Sequence, residues 1–221
     1  MHNRPSNEQR EWLKLVQQVG AIAVIRASQI EVGRQMAKAV AAGGMQLIEI
    51  TWNTDGAAKL ISELRSLLPG CTIGSGTLLT LDHLEQAIAA GAQFVFTPHV
   101  DLVMIQAAVS KGVPIIPGAL SPTEIVSAWT QGASCVKVFP VQAVGGASYI
   151  RSLQGPLGHI PLIPTGGVTL ENAKEFLRSG AIAVGLSGQL FPQQLVADGN
   201  WEAIAQRARN LMQQLAADST N

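Results

Sequence analysis

The sequence predicts an α/β protein of the (β/α)8 class, a TIM barrel carrying one extra N-terminal helix. Three observations predict it. Short apolar or β-branched runs alternate with longer stretches of helical periodicity, the pattern of a parallel sheet with helical crossovers. The alternation repeats eight times in 221 residues, near the lower size limit of such a barrel. Glycines close the helical stretches at Gly43-Gly44, Gly91, Gly112, Gly132 and Gly180, each just before the next strand. A doubly wound open sheet is the competing layout. It uses fewer strands, and no G-x-G-x-x-G follows the first strand here.

Each element has its own signal. Residues 7–19 read as the added helix, and residues 21–25 as the first strand. Ser28 with Glu31 suggests a capping box ahead of Val32, Met36 and Val40, which share one helical face. Further strands are expected at 47–51, 72–75, 94–97 and 113–116. Ser121-Pro122-Thr123-Glu124 then places proline at the first helical position of a second capping box. The last three strands fall at 135–139, 161–164 and 182–185, and residues 200–217 form a terminal helix. No linker or compositional break interrupts the chain. Residues 1–221 therefore read as one domain, with 21–190 as the barrel core.

Composition excludes several classes of function. Hydrophobic residues make up 47% of the chain and charged residues 14%, with zero formal net charge. That is enough apolar material to bury a core without staples, and too little charge for a disordered chain. A pI near 6.9 and the lack of a Lys/Arg run argue against a nucleic-acid partner. Gly, Pro or polar residues interrupt every apolar run before the roughly 18 residues a membrane span needs. Met1 to Trp12 is polar and reads as no secretory signal. Cys71 and Cys135 have neither metal spacing nor a pairing pattern, as in reduced cytosolic proteins. The expectation is a cytoplasmic protein without membrane or nucleic-acid partners.

Charges inside strands are the informative residues. Lys14, Lys38, Lys59, Lys111 and Lys174 fall on helical stretches, whereas Lys137 sits in the apolar run Cys135-Val136-Lys137-Val138-Phe139. Glu49 lies within Leu47-Ile48-Glu49-Ile50-Thr51, and Arg26 ends the first strand. A lysine on either face of a barrel strand is stripped of water, which favours its neutral, nucleophilic amine. Near the carboxyl end of the strand it opens into the usual catalytic mouth. A carboxyl group of raised pKa beside it can both give and take protons. The competing reading is a structural Lys137–Glu49 ion pair, and the two are compatible.

Two glycine turns follow late strands: Pro164-Thr165-Gly166-Gly167-Val168, and Gly185-Leu186-Ser187-Gly188. Backbone N–H groups at such turns suit phosphate, and these are the usual strands for it. Gly74-Ser75-Gly76-Thr77 reads as a similar turn, with Thr77 a hydroxyl donor for a carboxylate. His99 reads as an exposed loop residue, and His2, His83 and His159 are isolated. Trp52 either packs in the mouth or caps the core. No His/Asp/Glu set has metal-ligand spacing on one element.

With these residues in place, the sequence resembles the 2-keto-3-deoxy-6-phosphogluconate (KDPG) aldolases, whose members often also cleave 4-hydroxy-2-oxoglutarate (KHG). The resemblance runs from about Ala21 to Phe191. It rests on Gly43-Gly44 leading into Ile48-Glu49-Ile50-Thr51, then Ile73-Gly74-Ser75-Gly76-Thr77 and Phe96-Thr97-Pro98. Ile116-Pro117-Gly118, Val136-Lys137-Val138-Phe139-Pro140 and Pro164-Thr165-Gly166-Gly167 complete it. It implies a class I aldolase in which Lys137 forms an imine and Glu49 shuttles protons. Thr77 and the end of the second strand, Thr51 with Asn53, would hold the pyruvyl carboxylate. Pro98, Phe139 and Thr165 would line the pocket, while Gly166, Gly167, Gly185 and Ser187 would bind phosphate. The family needs no metal or organic cofactor and is commonly homotrimeric, so a homotrimer acting on a phosphorylated keto acid is implied.

Two departures matter. Many relatives carry Glu-x-Thr-x-Arg, where this chain has Asn53; Arg26 is the candidate replacement cation. Relatives also often reverse the order of Ser187-Gly188. Asn53 suits the phosphogalactonate branch, whereas Thr165 before Gly166-Gly167 favours the gluconate branch. A phosphate-binding barrel epimerase and a non-catalytic keto-acid sensor are the remaining alternatives. Neither needs a strand lysine beside a glutamate.

Overall fold

The computed structural model describes residues 7–216. Helix α1 (Asn7–Val19) precedes β1 (Ala21–Ile25), and α2 (Ile30–Ala42) leads to β2 (Leu47–Thr51). Next come α3 (Ala57–Leu67), β3 (Thr72–Gly76), α4 (Leu81–Ala89), β4 (Val95–Phe96), α5 (Leu102–Ser110) and β5 (Ile115–Ile116). The chain continues through β6 (Gly118–Ala119), α6 (Pro122–Thr130), β7 (Val136–Val138) and a 3-10 turn at Val141–Val144. It ends with α7 (Ala147–Leu157), β8 (Leu162–Pro164), α8 (Ala173–Arg178), β9 (Val184–Leu186), α9 (Gln193–Ala197) and α10 (Trp201–Ala216). Residue 217 of the expected terminal helix, His2 and the first residues of the polar N-terminus lie outside the described part.

The result is an α/β fold built on parallel strands. One sheet runs β5-β4-β3-β2-β1-β9 and a second runs β6-β7-β8. The chain passes between them at Pro117, which has no N–H to donate to a ladder. Before it, Val95 and Phe96 pair with Ile115 and Ile116; after it, Gly118 and Ala119 pair with Lys137 and Val138. The strand expected at 113–116 is thus shortened to β5, and a further short strand with a different partner follows it at 118–119. On the far side, a parallel bridge joins Thr165 to Gly185, and Ile182 N–H donates to the Leu162 carbonyl at 3.0 Å.

Two apolar cores follow from side-chain alternation. The outer one packs helices against strands through residues such as Ile48, Ile50, Leu60, Ile61, Val136 and Val138. The inner one gathers Ile22, Leu47, Phe94, Phe96, Ile116, Cys135, Ile163 and Ala183 from the opposite strand faces. Helix α1 seals that inner core by inserting Trp12, Val16 and Val19, with the Trp12 ring 5.6 Å from that of Phe94. The strand starts are therefore plugged, and the site lies towards the strand ends.

The two capping boxes fare differently. Ser121 accepts from Glu124 N–H, and the Glu124 carboxylate takes the Ser121 N–H at 2.7 Å. At α2 the N-cap is Gln29, with no side-chain cap, so the expected Ser28–Glu31 box is absent. Glu31 turns along the helix instead, towards Arg34 and Gln35.

Candidate active site

Glu49 follows Leu47 by two residues and Lys137 follows Cys135 by two. Both therefore continue the inward faces of their strands one layer above the inner core. Lys137 is 7% exposed and Glu49 2% exposed. Burial pulls the Lys137 amine below its ordinary range; the Glu49 charge opposes this shift, and that of Arg26 adds to it. Burial pushes the Glu49 carboxyl up, while Lys137 and Arg26 pull it down. The Lys137 Nζ lies 4.6 Å from the Phe139 ring centroid and 5.9 Å from that of Phe96. These groups form a desolvated amine, an acid held partly towards its neutral form, and a further cation.

Glycine makes this layer possible. A Cβ on Gly76 would fall 1.7 Å from Glu49 Oε1, so the carboxyl group occupies the space a side chain would take. Gly74 does the same for Phe94, whose ring would lie 2.3 Å from its Cβ. Strand β3 covers the expected 72–75 and runs on to Gly76, so the glycines of the Gly74-Ser75-Gly76-Thr77 run serve close packing rather than backbone turning. Thr77 follows at φ 58°, a left-handed conformation costly for a β-branched residue and typical of functional sites.

A cavity of about 430 Å³ opens above Lys137 and Glu49. Of the residues singled out from sequence, Arg26, Thr77, Pro98, Phe139, Thr165, Gly166, Gly167, Gly185 and Ser187 line it with them. Thr51 and Asn53 do not. The Thr51 hydroxyl lies 3.3 Å from that of Thr54, which accepts the Ala27 N–H, and Asn53 is exposed in the turn beyond β2. Trp52 packs against His83 at 5.9 Å between ring centroids, and His99 is no part of the lining.

The glycine turns form one wall of the cavity. Gly166 and Gly167 have φ of 83° and 93°, and a Cβ on Gly167 would meet that of Gln142 at 2.3 Å. The Ser187 carbonyl accepts from Leu190 N–H and Phe191 N–H, closing a single helical turn. The amides of Gly188 and Gln189 at its start therefore have no acceptor within that turn. Val168 and Gly188, from the two glycine turns, also line the cavity, as do Val24, Thr169 and Gln189, which were not singled out. Alternation from Arg26 would have found Val24, and the Thr169–Asn172 spacing marks a cap: Thr169 N–H donates to Asn172 Oδ1 at 2.7 Å. Nothing in residue type marks Gln189.

A wider groove of about 610 Å³ lies outside, lined by Arg34, Lys38, Ser62, Glu63, Ser66 and Leu67. Its arginine is already tied to Glu63 at 2.6 Å, and none of its lining residues is buried. Of the two, it is the cavity at the strand ends that combines desolvated reactive groups with room for a small molecule.

A parallel α/β fold with a buried amine and carboxyl at its strand ends defines a class of enzyme able to attack carbonyl carbon. Residues 13–207 match the aldolase family described as KDPG and KHG aldolase. The chain belongs to that family. The 2-dehydro-3-deoxy-phosphogluconate aldolase of Treponema pallidum is 32% identical over 198 residues, 90% of this chain and 94% of its own. The KHG/KDPG aldolase of Escherichia coli K12 is 29% identical, covering 87% of this chain and 90% of that one. The KDPG aldolase of Legionella pneumophila, solved with pyruvate captured at low pH as a covalent carbinolamine, superposes with a TM-score of 0.84. It is 28% identical and covers 90% of this chain and 97% of its own.

Proposed function

We propose that this protein is a class I aldolase that cleaves 2-keto-3-deoxy-6-phosphogluconate to pyruvate and glyceraldehyde 3-phosphate. The observation that carries the reading is the buried, pKa-lowered amine of Lys137 in one cavity with Glu49. The neutral Nζ adds to the C2 carbonyl, forming a carbinolamine. Glu49, whose carboxyl burial pushes up, serves as the acid that gives a proton to the departing hydroxyl and leaves an iminium ion. The resulting carboxylate takes the proton from the C4 hydroxyl. The C3–C4 bond then breaks, its electrons enter the iminium as an enamine, and the aldehyde leaves. Protonation at C3 and addition of water release pyruvate and restore the amine.

Arg26 and Thr77 hold the pyruvyl carboxylate, with Arg26 as the cation that Asn53 cannot provide. Pro98, Phe139 and Thr165 flank the chain of the substrate. Gly166, Gly167, Gly185 and Ser187 receive the phosphate, supported by the open amides of the turns described above. Arg26→Ala should raise KM for pyruvyl substrates about tenfold, the loss of ~1.4 kcal/mol of binding; an unchanged KM removes Arg26 from this role.

The same reading takes the two sheets as one closed eight-stranded barrel with an added N-terminal helix, and residues 1–221 as one cytoplasmic domain. The partner switch at Pro117 and the Thr165–Gly185 bridge support closure. A homotrimer is supported by the apolar outward residues Leu79, Leu81, Leu102, Val103 and Val126, of which Val103 is 62% exposed. No helix among the described residues is long and apolar enough to cross a membrane.

Pyruvate release from the phosphogluconate, phosphogalactonate and 4-hydroxy-2-oxoglutarate substrates tests the assignment. The gluconate should give the highest kcat/KM. A higher value for the galactonate would reassign the substrate, and release from none of the three would refute the aldolase.

A further inference from the structure

Behind the wall formed by residues 187–191 stands a side chain that does not touch the cavity. Arg207, on α10, donates both Nε and Nη2 to the carbonyl oxygen of Gln189, at 2.9 and 2.7 Å. A guanidinium fork spending two charge-assisted donors on one carbonyl fixes that peptide in position and direction. Gln189 lies in the turn that Ser187 begins, and Ser187, Gly188 and Gln189 all line the cavity. The turn is too short to hold itself by helical hydrogen bonding. Arg207 also acts on Glu171, beside Thr169 in the other wall turn, so its charge stands near both turns.

The neighbouring arginine behaves differently. Arg209, on the same helix, instead engages Gln206 and lies 3.9 Å from Glu202. The helix thus carries two cations, and one of them is committed to the cavity wall. We propose that Arg207 is a positioning residue that sets the anion-binding end of the cavity and thereby its preference for phosphorylated over unphosphorylated keto acids. The inference rests on the aldolase reading and goes beyond it, since Arg207 is not among the residues that line the cavity. A substrate that ends in phosphate needs the amides of Gly188 and Gln189 held in register. One that ends in a plain carboxylate at the shorter C5 position does not reach them.

The test compares Arg207→Ala, Arg207→Lys and Arg209→Ala with the unaltered protein on both substrate types. Arg207→Ala should lower kcat/KM for the phosphorylated substrate about tenfold through KM, equivalent to ~1.4 kcal/mol. It should leave the value for 4-hydroxy-2-oxoglutarate within about twofold, well under that energy. Arg207→Lys, with charge retained but the fork lost, should fall between. Arg209→Ala should resemble the unaltered protein on both substrates. Equal losses on both substrates, or the same effect from Arg209→Ala, would overturn the proposal. Inorganic phosphate keeps the test independent of the aldolase reading: it should raise the Tm of the unaltered protein and do so less for Arg207→Ala. If the protein cleaves neither substrate yet shows this difference, the aldolase reading and the substrate preference fail, while the hold of Arg207 on the anion-binding end stands. If phosphate protects both proteins equally, the role of Arg207 fails.

Discussion

The inner faces of the same strands carry two unlike layers. Near the strand starts, Leu47, Phe94, Cys135 and Ile163 interlock, and Trp12 of α1 closes the layer from below. Two residues further along, the same faces carry Glu49, Lys137 and Thr165, with Gly76 and Gly185 where bulk would obstruct them. The lower layer buries apolar surface and stabilises the fold; the upper layer buries charge, which opposes it. One scaffold can therefore hold a reactive amine away from water because a sealed apolar layer lies directly beneath it.

Substitutions in the two layers should separate stability from activity. Glu49→Gln should lower kcat by about a hundred- to ten-thousand-fold, because it removes the proton carrier, with a smaller effect on Tm than a substitution in the lower layer. Steady-state rates beside thermal melts will read it, and equal loss of both would merge the layers. Phe94→Ala should do the opposite, costing about 3–5 kcal/mol in denaturant unfolding. Its kcat per folded molecule, measured well below the Tm, should stay near that of the unaltered protein.

Lys137→Met sharpens the contrast through pH. The folded protein holds this amine below its ordinary value of 10.5. Stability linked to it is therefore present above pH 10.5 and lost as pH falls through the lowered folded value. The raised Glu49 pKa works in the same direction once its partner is gone, because the folded variant then binds its proton more readily. The variant should gain stability relative to the unaltered protein as pH falls from about 10.5 towards neutrality. A variant that loses stability relative to the unaltered protein over that range would mean that Lys137 is not desolvated.

Much of the upper layer was legible because strands tolerate so few charges. A lysine or glutamate among β-branched residues stands out from sequence alone, and so does an arginine at a strand end. Spacing also exposed the Gly166-Gly167 pair, whose positive φ values only glycine adopts at no cost. What stayed hidden depends on three-dimensional approach. Gly74 and Gly76 looked like turn residues because glycine marks a turn and a close contact in the same way. Pro117 divides one apolar run between two partner strands, and no local pattern reports which neighbour a strand pairs with. Thr51 follows the strand-two motif yet turns its hydroxyl to Thr54, and Asn53 lies outside the cavity. The tie from Arg207 to Gln189 spans eighteen residues between two elements, beyond the reach of any periodicity.

The most direct measurement is borohydride reduction of the protein in the presence of pyruvate, followed by peptide mass mapping. A stable adduct on Lys137, missing from Lys137→Met, is the predicted result. An unlabelled protein, or an adduct carried by one of the helix lysines instead, would contradict the account.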